Sequence, residues 1–140
     1  MAAIGGVIRD HLGRCLAAFT GNLGACTITL AEIKGVTEGL RIAWDQGYRK
    51  VMVGLDSTAA LQLLEDQRYY KLIQQFRRLI DRDWEVRLSH VYRECNKVAD
   101  FLASRGHDHS LGIHSVNVSD SGLSFWVLYD AMGIAQSILI

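Results

Sequence analysis

One stretch, Lys50-Val51-Met52-Val53-Gly54-Leu55-Asp56-Ser57-Thr58-Ala59-Ala60-Leu61, constrains the fold more than any other. Its first half is an apolar run with valine at two positions, the pattern of a strand covered on both faces, as parallel strands are in α/β proteins. Its second half has helical character. Asp56 stands between them, where a buried strand gives out and the chain turns. Ligands of open α/β sheets gather at the carboxyl ends of parallel strands, so a carboxylate there is a candidate for chemistry. Asp-Ser before a helix is also an ordinary N-cap signature, its side-chain oxygen accepting from an orphan backbone N–H. Both readings of Asp56 stay open on this stretch alone.

The flanking sequence fills in an α/β order. Ile4-Gly5-Gly6-Val7-Ile8-Arg9, the turn Asp10-His11-Leu12-Gly13 and the segment from Arg14 to Gly21 read as a β-hairpin. Gly5 and Gly6 predict either a bulge or the close approach of another backbone. A helix is expected over 30–46, with Ile33, Val36, Leu40, Ala43 and Trp44 as its apolar stripe and Gly47 closing it. At about 100° per residue Glu32 edges onto that stripe. A carboxylate so placed is paired, hydrogen-bonded or on a cation, or else reaches solvent as an acid near the helix start.

Further helices are expected over 58–66, 69–81 and 96–104, and an alternating strand over 85–91. Lys71, Arg78 and Arg82 share the outer side of the second of these helices, a basic ridge that either meets phosphates or is simply solvated. Asn96 and Asp100, four apart, lie opposite the apolar residues Val98, Phe101 and Leu102. Beyond Gly106 the residues His107, His109 and His114 match no zinc spacing and read as a polar linker. The remainder is expected to hold a strand or helix over 125–131 and an apolar end packing on the body or on a partner. The reading is therefore one domain over 1–106 and a tail over 107–140.

Composition adds limits. At 140 residues a single core suffices. Fifteen Lys and Arg balance fifteen Asp and Glu, so long-range attraction to nucleic acid is not written into the net charge. Cys15, Cys26 and Cys95 form no C-x-x-C pair, which argues against a disulfide framework or zinc site and for a reducing compartment. No secretory signal or spanning segment is evident, so the expectation is an intracellular protein, nuclear or cytoplasmic.

In order, Ile4-Gly5-Gly6-Val7-Ile8-Arg9-Asp10, Ala31-Glu32-Ile33 with Glu38-Gly39-Leu40, Leu55-Asp56-Ser57, and Asn96-Lys97-Val98-Ala99-Asp100-Phe101-Leu102-Ala103 resemble the ribonuclease H family. More narrowly, they resemble the reverse-transcriptase-like ribonuclease H domains of plants, often derived from non-LTR retroelements. The tail motif Leu128-Tyr129-Asp130-Ala131-Met132-Gly133 is similar too. The resemblance implies an α/β fold, a ribonuclease H-like mixed sheet flanked by helices, and hydrolysis of the RNA strand of RNA/DNA hybrids with two magnesium or manganese ions. Several carboxylates are needed there to balance two divalent cations ~4 Å apart. By resemblance Glu32, Asp56 and Asp100 are three of four such ligands.

The fourth is not matched. The family's first strand, central in its sheet, ends in an Asp-Gly pair that precedes the Ile-Gly-Gly strand, and here Met1-Ala2-Ala3 stands in its place. A loop histidine of well-studied members is also unmatched. The expectation is a sheet lacking its first, central strand, with weakened metal binding and little or no cleavage. Asp10, at the far turn of the hairpin, does not substitute, whereas a tail strand carrying Asp130 could fill the gap. Two other readings remain: an inactive module that binds nucleic acid or is vestigial, and a generic α/β small-molecule binder, which lacks a glycine-rich phosphate loop.

Overall fold

A computed structural model describes residues 1–12, 14–66, 68, 73–93, 96–120, 122–123 and 137–140. The hairpin is β1 (Ala2–Arg9) and β2 (Cys15–Gly24), antiparallel, with Ile8 opposite Ala17 and Ile4 opposite Gly21. Its turn is closed by Asp10, whose carboxylate accepts from the backbone N–H groups of Leu12 and Arg14 and from the Arg14 guanidinium. β2 runs beyond Gly21, the last residue of the expected hairpin, to Gly24. Asn22 makes the extension possible by donating to the His109 carbonyl while its Oδ1 accepts from the Gly24 N–H.

Helix α1 (Ile28–Asp45) starts two residues earlier than its apolar stripe suggests, because Thr27 caps it through a side-chain bond from the Leu30 N–H. Gly47, at φ 91°, follows the C-cap Gln46 and turns the chain out of the helix. Next come β3 (Lys50–Leu55), α2 (Thr58–Glu65), α3 (Gln74–Ile80), β4 (Glu85–His90) and α4 (Lys97–Gly106). β4 lies parallel to β3 at one edge of the sheet. The expected helix over 69–81 is described only from Gln74. Of the basic ridge, Lys71 is outside the described residues, and Arg82 lies over the Trp44 ring, 5.0 Å from its centroid.

The region past Gly106 is not a linker throughout. β5 (Gly112–Val116) pairs antiparallel with β2 and forms the other edge of the sheet. Within it the half-buried His114 and Val116 alternate with the exposed Gly112, Ile113 and Ser115, a strand with one face in water whose inward set includes a histidine and so does not read as apolar. The stretch 125–131 and Asp130 lie outside the described residues.

The larger correction is at the centre of the sheet. β6 (Ser137–Leu139) lies between β1 and β3, antiparallel to the first and parallel to the second, giving the order β4-β3-β6-β1-β2-β5. The hairpin is therefore not left without a central neighbour. A strand from the far end of the sequence fills the slot, because unpaired backbone groups along two buried strands are too costly to leave facing each other.

Two apolar layers cover this sheet. On one face Ile4, Ile8, Phe19, Val53 and Leu55 pack with α1, α2 and α3. On the other, Val7 and Ala18 pack with Val98 and Leu102 of α4. Helix α4 sits directly on the backbone of β1: a Cβ on Gly5 would lie 2.4 Å from the Leu102 Cβ and the Ala103 nitrogen. Of the two roles expected for this glycine, close approach is the one observed. The Thr20 hydroxyl fixes the same contact, donating 2.6 Å to the Leu102 carbonyl. Among the described residues no helix is long and apolar enough to cross a membrane.

Candidate functional site

β3 ends at Leu55, and Asp56 follows it at the carboxyl end of the strand. The cap of α2 is not Asp56 but Ser57, whose hydroxyl accepts from the Ala60 N–H at 3.1 Å. Of the two readings of Asp56, the cap is thus taken by its neighbour, and the carboxylate is free to turn elsewhere. It turns towards α4, where Asn96 Nδ2 donates to its Oδ2 at 3.2 Å.

Glu32, in the second turn of α1, and Asp100, in the first turn of α4, come to the same place. With Asp56 they line one cavity of about 160 Å³, together with Asn96, Arg93 and Ile140. That volume is many times the ~10–15 Å³ that admits one water molecule. The three acids, 24 and 44 residues apart along the chain, are therefore brought together, while Asp10 lies away at the hairpin turn. Asp100 is exposed, whereas Glu32 is half-buried.

The electrostatics are those of crowded like charges. Burial first and the Asp56 charge second push the Glu32 carboxyl up to about 7, with Arg93 opposing them. Its Oε2 is buried with no hydrogen-bond partner. So is Oδ1 of Asn96, a residue only 1% exposed. Two orphaned buried oxygens beside an acid whose ionisation is opposed fit a cation, which would satisfy the oxygens and favour the charged carboxylate. Among the described residues no three acid, imidazole or thiol groups converge tightly enough to hold an ion by themselves. A cation here would need neutral oxygens as well, and hard divalent ions accept them.

Sequence reasoning missed Asn96, Arg93 and Ile140. An asparagine just before a helix reads as a cap, yet Asn96 makes no side-chain cap bond and points both its donors into the site. The available signal was its spacing from Asp100, four residues on, which sets both on one face.

Residues 1–106 match the model of a family described as reverse transcriptase-like. The chain belongs to that family. This reverse transcriptase-like chain is also 33% identical over 138 residues to a putative ribonuclease H protein of Arabidopsis thaliana, a match covering 95% of the chain but only 22% of that relative. The fold is ribonuclease H-like. RNase H1 of the halophilic archaeon Halobacterium salinarum superposes with a TM-score of 0.68 at 24% identity, covering 77% of this chain and 86% of that one. The N-terminal RNase H domain of Rv2228c from Mycobacterium tuberculosis, solved as a fusion with maltose-binding protein, gives 0.53 at 23%, covering 76% and 91%.

Proposed function

We propose that this reverse transcriptase-like chain is a ribonuclease H-type domain that engages RNA/DNA hybrids and uses Mg²⁺ or Mn²⁺ held by Glu32, Asp56 and Asp100. The observation that carries the reading is the meeting of these three acids in one cavity at the carboxyl end of β3. Divalent ions there would supply an activated water and stabilisation of the leaving oxygen in hydrolysis of the RNA strand. The chain's own residues have simpler tasks. Glu32 from α1 and Asp56 from the end of β3 supply oxygen ligands, Asn96 holds the Asp56 carboxylate by its 3.2 Å bond, and the exposed Arg93 offers a phosphate a cationic partner.

Turnover is expected to be weak. No acidic side chain stands in β6 or at Ile140, so the central strand brings no side-chain carboxylate to the cavity. That same observation favours a second reading, an inactive module that keeps nucleic-acid binding without hydrolysis. The test is cleavage of an end-labelled RNA/DNA hybrid with Mg²⁺ or Mn²⁺, comparing the wild type with Asp56→Asn, alongside hybrid binding by fluorescence anisotropy. Slow cleavage abolished by the substitution supports the enzyme. Binding without cleavage supports the inactive module, and neither binding nor cleavage defeats both.

A further inference from the structure

Ile140 is fixed more firmly than its place beside a short strand requires. Its N–H donates to the Gly54 carbonyl at 3.0 Å, continuing the parallel pairing of β6 with β3 to the level of Leu55, the residue before Asp56. Its side chain is 3% exposed and fills space that two glycines leave open. A Cβ on Gly6 of β1 would lie 2.8 Å from its Cδ1, and one on Gly35 of α1 would lie 2.8 Å from its Cγ2. A side chain seated between strand and helix in this way leaves the main chain little freedom to swing.

The main-chain oxygen of this anchored residue is turned towards the acids. Asn96 Nδ2 donates to it at 2.7 Å and to Asp56 Oδ2 at 3.2 Å, so one amide nitrogen gathers both oxygens. The other end of the same amide, Oδ1, is buried and without a partner, as is Glu32 Oε2. The cavity thus holds carboxylates, an unpartnered amide oxygen and a main-chain oxygen with acceptor capacity to spare.

We propose that the Ile140 main-chain oxygen is itself a ligand of the divalent cation, delivered by β6 in the strand position that the resemblance assigns to an aspartate. The inference rests on the reading of Glu32, Asp56 and Asp100 as a cation site. Main-chain oxygens are ordinary ligands of hard divalent ions and need no side chain of a particular kind, only a strand that holds them still. Asn96 is then a positioning residue: it sets the Ile140 oxygen and the Asp56 carboxylate at a common centre. On this view the tail beyond Gly106 is part of the metal site.

The test uses the full chain labelled with ¹³C at the isoleucine carbonyls. The Ile140 resonance is assigned by its loss in Ile140→Val, and Mg²⁺ is titrated while Mn²⁺ affinity is measured in parallel by calorimetry. A saturable shift of the Ile140 carbonyl, with the dissociation constant of the bound ion and lost in Glu32→Gln, is the expected result. A chain shortened before Ser137, its folding checked by circular dichroism, should bind Mn²⁺ about tenfold or more weakly. Should the shortened chain fail to fold, the carbonyl shift decides alone. Cation binding with the Ile140 resonance unmoved overturns the inference and leaves the acid site standing. Absence of any cation binding by the wild type overturns the acid site too.

Discussion

Asn96 and Ile140, 44 residues apart, are joined by a 2.7 Å hydrogen bond from the asparagine Nδ2 to the main-chain oxygen, inside the molecule and beside Asp56. The bond ties α4 on one face of the sheet to the segment that follows its central strand. Without it the Ile140 oxygen and the half-buried Asp56 carboxylate would both lose this shared donor. Asn96→Ala is expected to cost about 1–3 kcal/mol, the usual penalty for leaving a buried polar group unsatisfied. A urea titration should show a lower midpoint with an unchanged slope. Native-state hydrogen exchange should show the Ile140 amide opening faster, and an unchanged midpoint would mean that the bond is not formed in solution.

Glu32 makes the cation-free protein pH-sensitive. Its carboxyl is pushed from an ordinary 4.5 up to about 7 by burial and by Asp56, with Arg93 opposing; Asp100 lines the same cavity. Below pH ~4.5 the group is protonated folded or unfolded and exerts no drag. As pH rises towards 7 the unfolded chain releases the proton while the folded state keeps it, so the stabilising difference is lost through that window and stays lost above it. Removing the titration by Glu32→Gln should therefore raise stability relative to wild type by about 2 kcal/mol more at pH 8 than at pH 4. Urea midpoints across pH 4–8 in EDTA would show it, and parallel pH curves for the two proteins would refute it.

What could be read from the residues alone follows from range. The order of strands and helices was legible because the run Val51 to Leu55 and the stripe Ile33, Val36, Leu40 carry their own periodicities, and Ser57 or Thr27 need only local capping to start a helix. The meeting of Glu32, Asp56 and Asp100 was not visible in any local pattern; it came from the ordered motifs of a family resemblance. β6 was foreseen only as a tail strand that could fill the gap, expected to carry Asp130 and not at residues 137–139. It is three residues long and pairs with partners more than 80 positions away, so its place depends on the vacancy between β1 and β3 and not on its own sequence. β5 was hidden for a related reason, since His114 and Ser115 look like linker until β2 is there to pair with them.

Gly5 tests the seat of α4. Any side chain there would enter the helix backbone: a Cβ would stand 2.4 Å from the Ala103 nitrogen and 2.6 Å from the Leu102 carbonyl carbon, neither of which can rotate away. Gly5→Ala should push α4 off β1 and lower stability by about 3 kcal/mol, the upper end of ordinary overpacking costs, because backbone and not a side-chain tip must yield. The shift carries Asn96 and Asp100 with the helix, so Mn²⁺ affinity measured by calorimetry should fall along with the thermal midpoint. An unaltered midpoint would contradict the observed contact.

Gly35 tests the seat of Ile140 from the opposite face. In the interior of α1 a larger residue would ordinarily be neutral or mildly favourable, since glycine is the poorer helix former by roughly 0.8–1.0 kcal/mol relative to alanine. Here the Cβ would lie 2.8 Å from Ile140 Cγ2, and a valine would add two methyl groups to that overlap. Gly35→Val is therefore expected to destabilise by about 1–3 kcal/mol despite its helix propensity, through displacement of Ile140 from the centre of the sheet. Glu32 lies on the same helix only three residues away, so circular dichroism should confirm that α1 is retained before the effect is assigned. A truncation of the blocking side chain, Ile140→Ala in the Gly35→Val background, should recover part of the loss; a strictly additive double variant would show that the two residues do not touch.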